Sequence, residues 1–145
     1  MNKKRLLKLA KHLEKVPHKP ISTEMNERTF YEYKRDDRVE MRHFNMRTYC
    51  QMLDADGCGT TGCIAGHAVA LFEGVKNSHE WHFGWAPRAA QALELTPEQA
   101  EALFWLPGGP GAWPTVAAVD EAQPHEAARA CRRLANGEPL DTLWE

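Results

Sequence analysis

Two cysteines and a histidine lie close together in residues 58–72, Cys-Gly-Thr-Thr-Gly-Cys-Ile-Ala-Gly-His-Ala-Val-Ala-Leu-Phe. Thr60 or Thr61 is suited to cap a helix that runs through the apolar part of this segment. A helix that is apolar on all sides is normally a buried one. The few polar groups on it therefore either belong to a satisfied core network or form a functional site.

One chemistry open to this segment is that of a thiol enzyme. Cys63 falls near the predicted start of the helix, where the helix dipole and free N–H groups stabilise a thiolate and lower the pKa of the thiol. His79, His82 or His125 would supply the base, although no recognisable motif places any of them. His67 lies on the same helix face one turn from Cys63, a geometry that suits a nucleophile–base pair poorly.

A second chemistry is zinc binding. Cys63 and His67 are four residues apart, so both project from one helical face, as metal ligands on helices do. Cys58 could supply a third ligand from the turn, and His79 and His82 a fourth from the following loop, which gives a tetrahedral set of sulfur and nitrogen. The spacing Cys-x4-Cys-x3-His matches no standard zinc finger or knuckle.

The third interpretation, which we favour, assigns the segment to the core. A free cysteine behaves as a small buried hydrophobe. Gly62 and Gly66 allow close packing, and His67 hydrogen-bonds to a backbone carbonyl or a carboxylate, as buried polar groups usually do. On this interpretation no residue is catalytic and no zinc or other cofactor is bound.

The elements that position this segment are predicted to be mostly helical. Apolar residues at three- and four-residue spacing predict an N-terminal helix that Pro17 closes. Thr96-Pro97-Glu98-Gln99 has the pattern of a capping box with proline at the first helical position. The remaining predicted elements are helices over 46–53 and 115–122, a helix through Leu93 with Pro87 in its first turn, a helix from Pro124 to Gly137, and a small β-hairpin within 29–44. The fold class is therefore mainly α, a compact single-domain bundle of about six helices over residues 1–145.

Composition narrows the class of protein further. The chain has 145 residues, 43% of them hydrophobic and 26% charged, which is typical of a globular protein. Four cysteines are too few for a secreted disulfide scaffold, and no apolar run approaches a membrane span. Lysines interrupt the N-terminal apolar pairs, so we expect no secretion signal and a cytoplasmic location.

Charge is distributed unevenly along the chain. Residues 1–15 carry six basic side chains and one acidic one, a net charge of +5 within a total of −2, which leaves −7 for the other 130 residues. An acidic body argues against wrapping nucleic acid over a large surface and favours a protein partner. The basic helix itself is interpreted as a solvated face over a docked apolar stripe.

The order of these motifs resembles small proteins of phages and mobile elements that share a Cys-Gly-Thr-x-x-Cys-x-x-Gly motif. The matching residues are Phe44-Asn45-Met46, Cys58-Gly59-Thr60 with Cys63, Gly66-His67-Ala68, the Leu-Thr-Pro-Glu-Gln-Ala helix and Thr115-Val116-Ala117. The similarity spans most of the chain, with the hairpin as an elaboration. The resemblance implies a phage or prophage context and assigns neither an activity nor a catalytic residue.

Aromatic side chains provide the candidate surface for a partner. They lie near glycine- and proline-rich turns, and tryptophans are enriched at binding hot spots. The alternative is that these side chains cover the core. Trp144, near the C-terminus, is expected to dock the tail onto the rest of the protein. The predicted face comprises Trp81, Phe83, Trp85, Trp105 and Trp113.

The sequence therefore predicts a non-enzymatic phage or mobile-element accessory protein that binds another protein, with a host defence or regulatory protein as the natural target. The alternative is a thiol enzyme or a zinc-bound module centred on Cys58, Cys63 and His67. The oligomeric state stays open.

Overall fold

A computed structural model describes residues 1–18, 41–44, 46, 51–52, 60–74, 85–105 and 122–145. Within these ranges the chain is mainly helical, as predicted. The helices are α1 (Lys3–Leu13), α2 (Ile64–Phe72), α3 (Trp85–Leu93), α4 (Pro97–Phe104) and α5 (Pro124–Ala135), followed by a 3-10 helix (Leu140–Thr142). The strands are β1 (Met41–Phe44), β2 (Gln51–Met52) and β3 (Thr60–Gly62). None of the helices in these ranges has the length and apolar character needed to span a bilayer.

Helix α1 buries the apolar stripe that the sequence predicts. The side chain of Asn2 caps it by accepting a hydrogen bond from the backbone N–H of Arg5 at 3.1 Å. The helix ends at Leu13, ahead of Pro17, but turn hydrogen bonds carry the chain on so that Val16 still joins the stripe. The buried residues of this stripe are Leu6, Leu9, Ala10, Leu13 and Val16.

The three strands form one small sheet in the order β1-β3-β2. Strand β3 lies in the centre, parallel to β1 and antiparallel to β2. His43 is registered with Thr61, and Phe44 with Gly62. Because β3 runs directly into α2, the sheet fixes where that helix begins.

The predicted N-terminus of α2 is wrong. Thr60 and Thr61 lie in β3, and Cys63 holds the N-cap position of the helix. Threonine is β-branched and favours extended backbone, and β3 has a partner strand on both sides. The strand therefore continues to Gly62, which belongs to the sheet and not to the helix.

The predicted helix over 46–53 is contradicted at its C-terminal part. Gln51 and Met52 form β2, paired with Thr61 and Thr60. Pairing with a strand that lies further along the chain overrides a weak local preference for helix. Of the predicted hairpin within 29–44, residues 29–40 lie outside the described ranges, so the hairpin stays a prediction. The predicted helix over 115–122 also lies outside them, except for buried Ala122.

Helices α3, α4 and α5 follow the sequence pattern closely. Helix α3 begins at Trp85 and ends at Leu93, with Pro87 in its first turn as predicted. The capping box of α4 is present in both directions: the N–H of Gln99 donates to the Thr96 hydroxyl at 3.3 Å, and the N–H of Thr96 donates to the Gln99 side chain at 3.1 Å. Helix α5 ends at Ala135, and Gly137 then turns the chain with a φ of +76°.

All five helices contribute to one buried apolar cluster. Helix α1 packs most extensively against α5, and α2 against α3. The indole N–H of Trp144 donates to the carbonyl of Ala102 at 3.0 Å, so the C-terminal tail docks on α4 as predicted. Strand β1 contributes Phe44, and α2 lies between this strand and the helices with six consecutive buried residues, Ile64 to Val69.

Candidate functional site

Cys63 connects β3 to α2 in an extended conformation, with φ −80° and ψ −175°. Only 4% of its surface is exposed. Burial raises the pKa of the Cys63 thiol to about 11, and the backbone N–H groups of Gly66 and Ala65 offset this only in part. The expectation that the start of the helix lowers this pKa is therefore wrong, because loss of hydration outweighs the helix terminus. At neutral pH the group is a protonated thiol and a poor nucleophile.

His67 lies in the middle of α2 with no exposed surface. Its Nε2 is 2.8 Å from the backbone carbonyl oxygen of His43 on β1. A carbonyl oxygen can only accept, so Nε2 carries the proton in this bond. The sequence predicts that His67 hydrogen-bonds to a backbone carbonyl or a carboxylate, and the bond from Nε2 to the carbonyl of His43 confirms this.

The other ring nitrogen of His67 is hydrogen-bonded to His12, a residue that the sequence does not single out. Nδ1 lies 3.0 Å from Nε2 of His12, near the end of α1. Because Nε2 of His67 carries the proton, Nδ1 is the acceptor when the ring is neutral and His12 is the donor. Burial, and to a lesser extent the charge of Lys15, lower the pKa of half-buried His12.

The spacing of α1 carries a signal for His12. Leu9 lies three residues before it and Val16 four residues after it, and both are buried. This places His12 at the border of the apolar stripe, where a polar side chain needs a partner. Its partner is 55 residues away in sequence, so no local pattern could identify His67 as that partner.

The two imidazoles form a proton-sharing pair inside the fold. Their ring centroids are 5.1 Å apart, and the ring of Phe44 stacks on His67 with a centroid distance of 6.1 Å. The pair can take up one extra proton and keep its hydrogen bond, because one ring still offers a lone pair. A second proton would leave two N–H groups facing each other. The two hydrogen bonds of His67 therefore join α2 to α1 and to β1.

The residues of the zinc and thiol-enzyme alternatives are only partly described. Cys58, His79 and His82 lie outside the described ranges. Cys63 and His67 share α2 and are both buried. Among the described residues there is no group of three or more histidine, cysteine or acidic side chains that could hold a metal ion. The described partners of His67 are His12 and the carbonyl of His43.

The predicted aromatic face is divided between core and surface. Trp81, Phe83 and Trp113 lie outside the described ranges. Trp85 is 4% exposed and lies in the core at the start of α3, as in the alternative prediction. Trp105 is 42% exposed at the C-cap of α4, and it is the candidate residue that the structure places on the surface.

Searches against protein-family models, curated proteins and solved structures find no match to this chain. The functional interpretation therefore depends on the geometry of the described residues.

Proposed function

We propose that this protein has no enzymatic activity and acts in the cytoplasm as a phage or mobile-element accessory protein that binds another protein. A host defence or regulatory protein is the natural target for such a product. The observation that carries this proposal is the burial of the central motif: Cys63 is 4% exposed and His67 is fully enclosed. Groups sealed in this way stabilise the fold and are not available to a substrate.

The alternative functions have less support from the same geometry. A thiol enzyme needs an accessible thiolate, whereas Cys63 is buried with a raised pKa. A zinc site that includes His67 would need one of its ring nitrogens, and both have hydrogen-bond partners. Such a zinc site would first have to break the contact of His67 with His12 or its contact with the carbonyl of His43.

Trp105 is the described residue best suited to contact a partner. It is a large aromatic side chain with 42% of its surface exposed. Trp85, the other residue of the predicted aromatic face that the structure describes, lies in the core. Tryptophan buries much area at little cost in conformational entropy and is enriched at binding hot spots. Trp105 directly follows helix α4, which begins with a capping box.

A capture experiment from bacterial lysate tests the proposal. The tagged wild-type chain should retain a specific protein, and Trp105→Ala should reduce its retention at least about tenfold, as expected for a hot-spot residue. Gln91→Ala, an exposed position on α3, is the matched control and should retain as much as wild type. Capture of no protein, or equal capture by Trp105→Ala, would contradict the proposal.

A further inference from the structure

A stripe of exposed lysines runs along α1. Lys4, Lys8 and Lys11 are exposed on the helix, and Lys15 follows two residues beyond its end. Their spacing of four, three and four residues keeps them on one side of the helix, opposite the buried apolar stripe. We call these four residues the lysine stripe.

An exposed stripe of the opposite charge lies on α4. Glu98 and Glu101 are exposed on the helix, and Trp105 continues the same side at its C-cap. Their spacing of three and four residues matches that of Lys8, Lys11 and Lys15. We call these three residues the acidic stripe. Each matching set spans about 10 Å of helix.

The lysine and glutamate side chains of the two stripes form no ion pair within the described part of the chain, and the Thr96 hydroxyl donates a hydrogen bond to the Glu98 carboxylate. The ion pairs there join Glu14 to Arg132, Glu73 to Arg88 and Glu138 to Arg133. None of them uses a residue of either stripe. The stripes therefore present complementary charge to whatever approaches them.

The two stripes begin at the same corner of the molecule. The backbone N–H of Asn2, which caps α1, donates to the carbonyl of Leu93 at 2.8 Å, and its side-chain amide donates to Glu94 at 2.5 Å. Leu93 and Glu94 end α3 and lead directly into α4. A twofold contact that uses both stripes would set α1 of each copy against α4 of the other.

We infer that the acidic stripe is a docking surface for a second copy of this chain, which presents its lysine stripe. Lysine ammonium groups pair with Glu98 and Glu101, and a lysine stem or ammonium lies on the Trp105 indole. Exposed ion pairs contribute little each, so the dimer is weak and forms at low ionic strength. This inference goes beyond the proposed function and does not depend on it.

Sedimentation equilibrium of the purified full chain tests the inference. Wild type should dimerise reversibly in about 0.01 M salt and be monomeric in about 1 M salt, where screening is nearly complete. The variants Glu98→Lys/Glu101→Lys and Lys8→Glu/Lys11→Glu should each lose association by more than about tenfold, because like charges then face each other. An equimolar mixture of the two variants should regain it, because each restores the charges that the other needs.

A control reverses a charge on another helix. Arg129→Glu alters an exposed residue of α5 and should associate as wild type does. Circular dichroism verifies that each variant is folded. The inference is overturned if wild type is monomeric in low salt, if association survives high salt, or if mixing the variants restores nothing. Any of these results leaves the capture of a different protein untouched, so the two proposals fail separately.

Discussion

The imidazole of His67 uses both ring nitrogens inside the protein, one on the carbonyl of His43 and one on His12. A buried donor or acceptor that loses its partner costs about 1–3 kcal/mol. The pair is therefore a point where a small chemical change has a large effect on stability. Sequence reasoning anticipated a satisfied His67 because α2 is apolar on all sides, but it could not supply His12, which comes from a distant helix.

Replacing His67 with alanine should lower the free energy of unfolding by about 3 kcal/mol, because the change leaves a cavity and removes the partner of His12. Urea denaturation measures the loss. His125→Ala, at an exposed position on α5, should change stability by less than about 0.5 kcal/mol. If the two substitutions lower the free energy of unfolding by similar amounts, the hydrogen-bonded imidazole pair does not stabilise the fold.

The His12 contact should make stability depend on pH. Burial and Lys15 hold the pKa of His12 below its usual value of 6.5, so the unfolded chain binds more protons than the folded chain between the two pKa values. The contribution of neutral His12 to the free energy of unfolding is therefore complete above about pH 6.5, and the free energy of unfolding falls as the pH decreases below this value.

Urea midpoints across this pH range measure the dependence. His12→Gln is the informative variant, because its amide N–H can still donate to His67 but does not titrate. Its midpoint should fall less steeply on acidification than that of wild type. An identical slope in both proteins would rule out His12 as the titrating group.

Among the elements, those with local signals were predicted well. Four consecutive residues form the capping box of α4, and the three- and four-residue spacing of apolar residues defines the buried stripe of α1. Both features can therefore be located from the sequence. Strands β2 and β3 were missed because their extended conformation depends on pairing between segments that are distant in sequence. The same pairing places Thr60 and Thr61, the predicted N-cap positions, in β3 and leaves Cys63 as the N-cap of α2.

The cap of α4 should make a measurable contribution. Thr96→Ala removes the hydroxyl that accepts from Gln99 and should cost about 1 kcal/mol in the free energy of unfolding. Thr96→Ser keeps a hydroxyl and should stay within about 0.5 kcal/mol of wild type. If both variants lose the same amount, the stabilising group is the threonine methyl and not the cap.

On the scale of the whole molecule, the described helices share one apolar cluster. The hydrogen-bonded His12 and His67 side chains lie between α1, α2 and β1. The mainly α class followed from the spacing of apolar residues. The burial of Cys63 results from the packing of α2 against its neighbours, which local sequence patterns do not encode. The charge asymmetry seen in the sequence reappears as the exposed lysines of α1.

The assignment of the central motif to the core requires that Cys63 be inaccessible to solvent, and residue-resolved alkylation tests this directly. The native protein is treated with iodoacetamide at neutral pH, and labelling of each cysteine is followed by peptide mass spectrometry, with buried Cys131 as the internal reference, since burial raises its pKa to about 12. We expect Cys63 to remain unlabelled as long as Cys131 does, and both to react once denaturant unfolds the chain. Rapid labelling of Cys63 in the folded protein, with Cys131 still protected, would show that Cys63 is accessible and would contradict its place in the core.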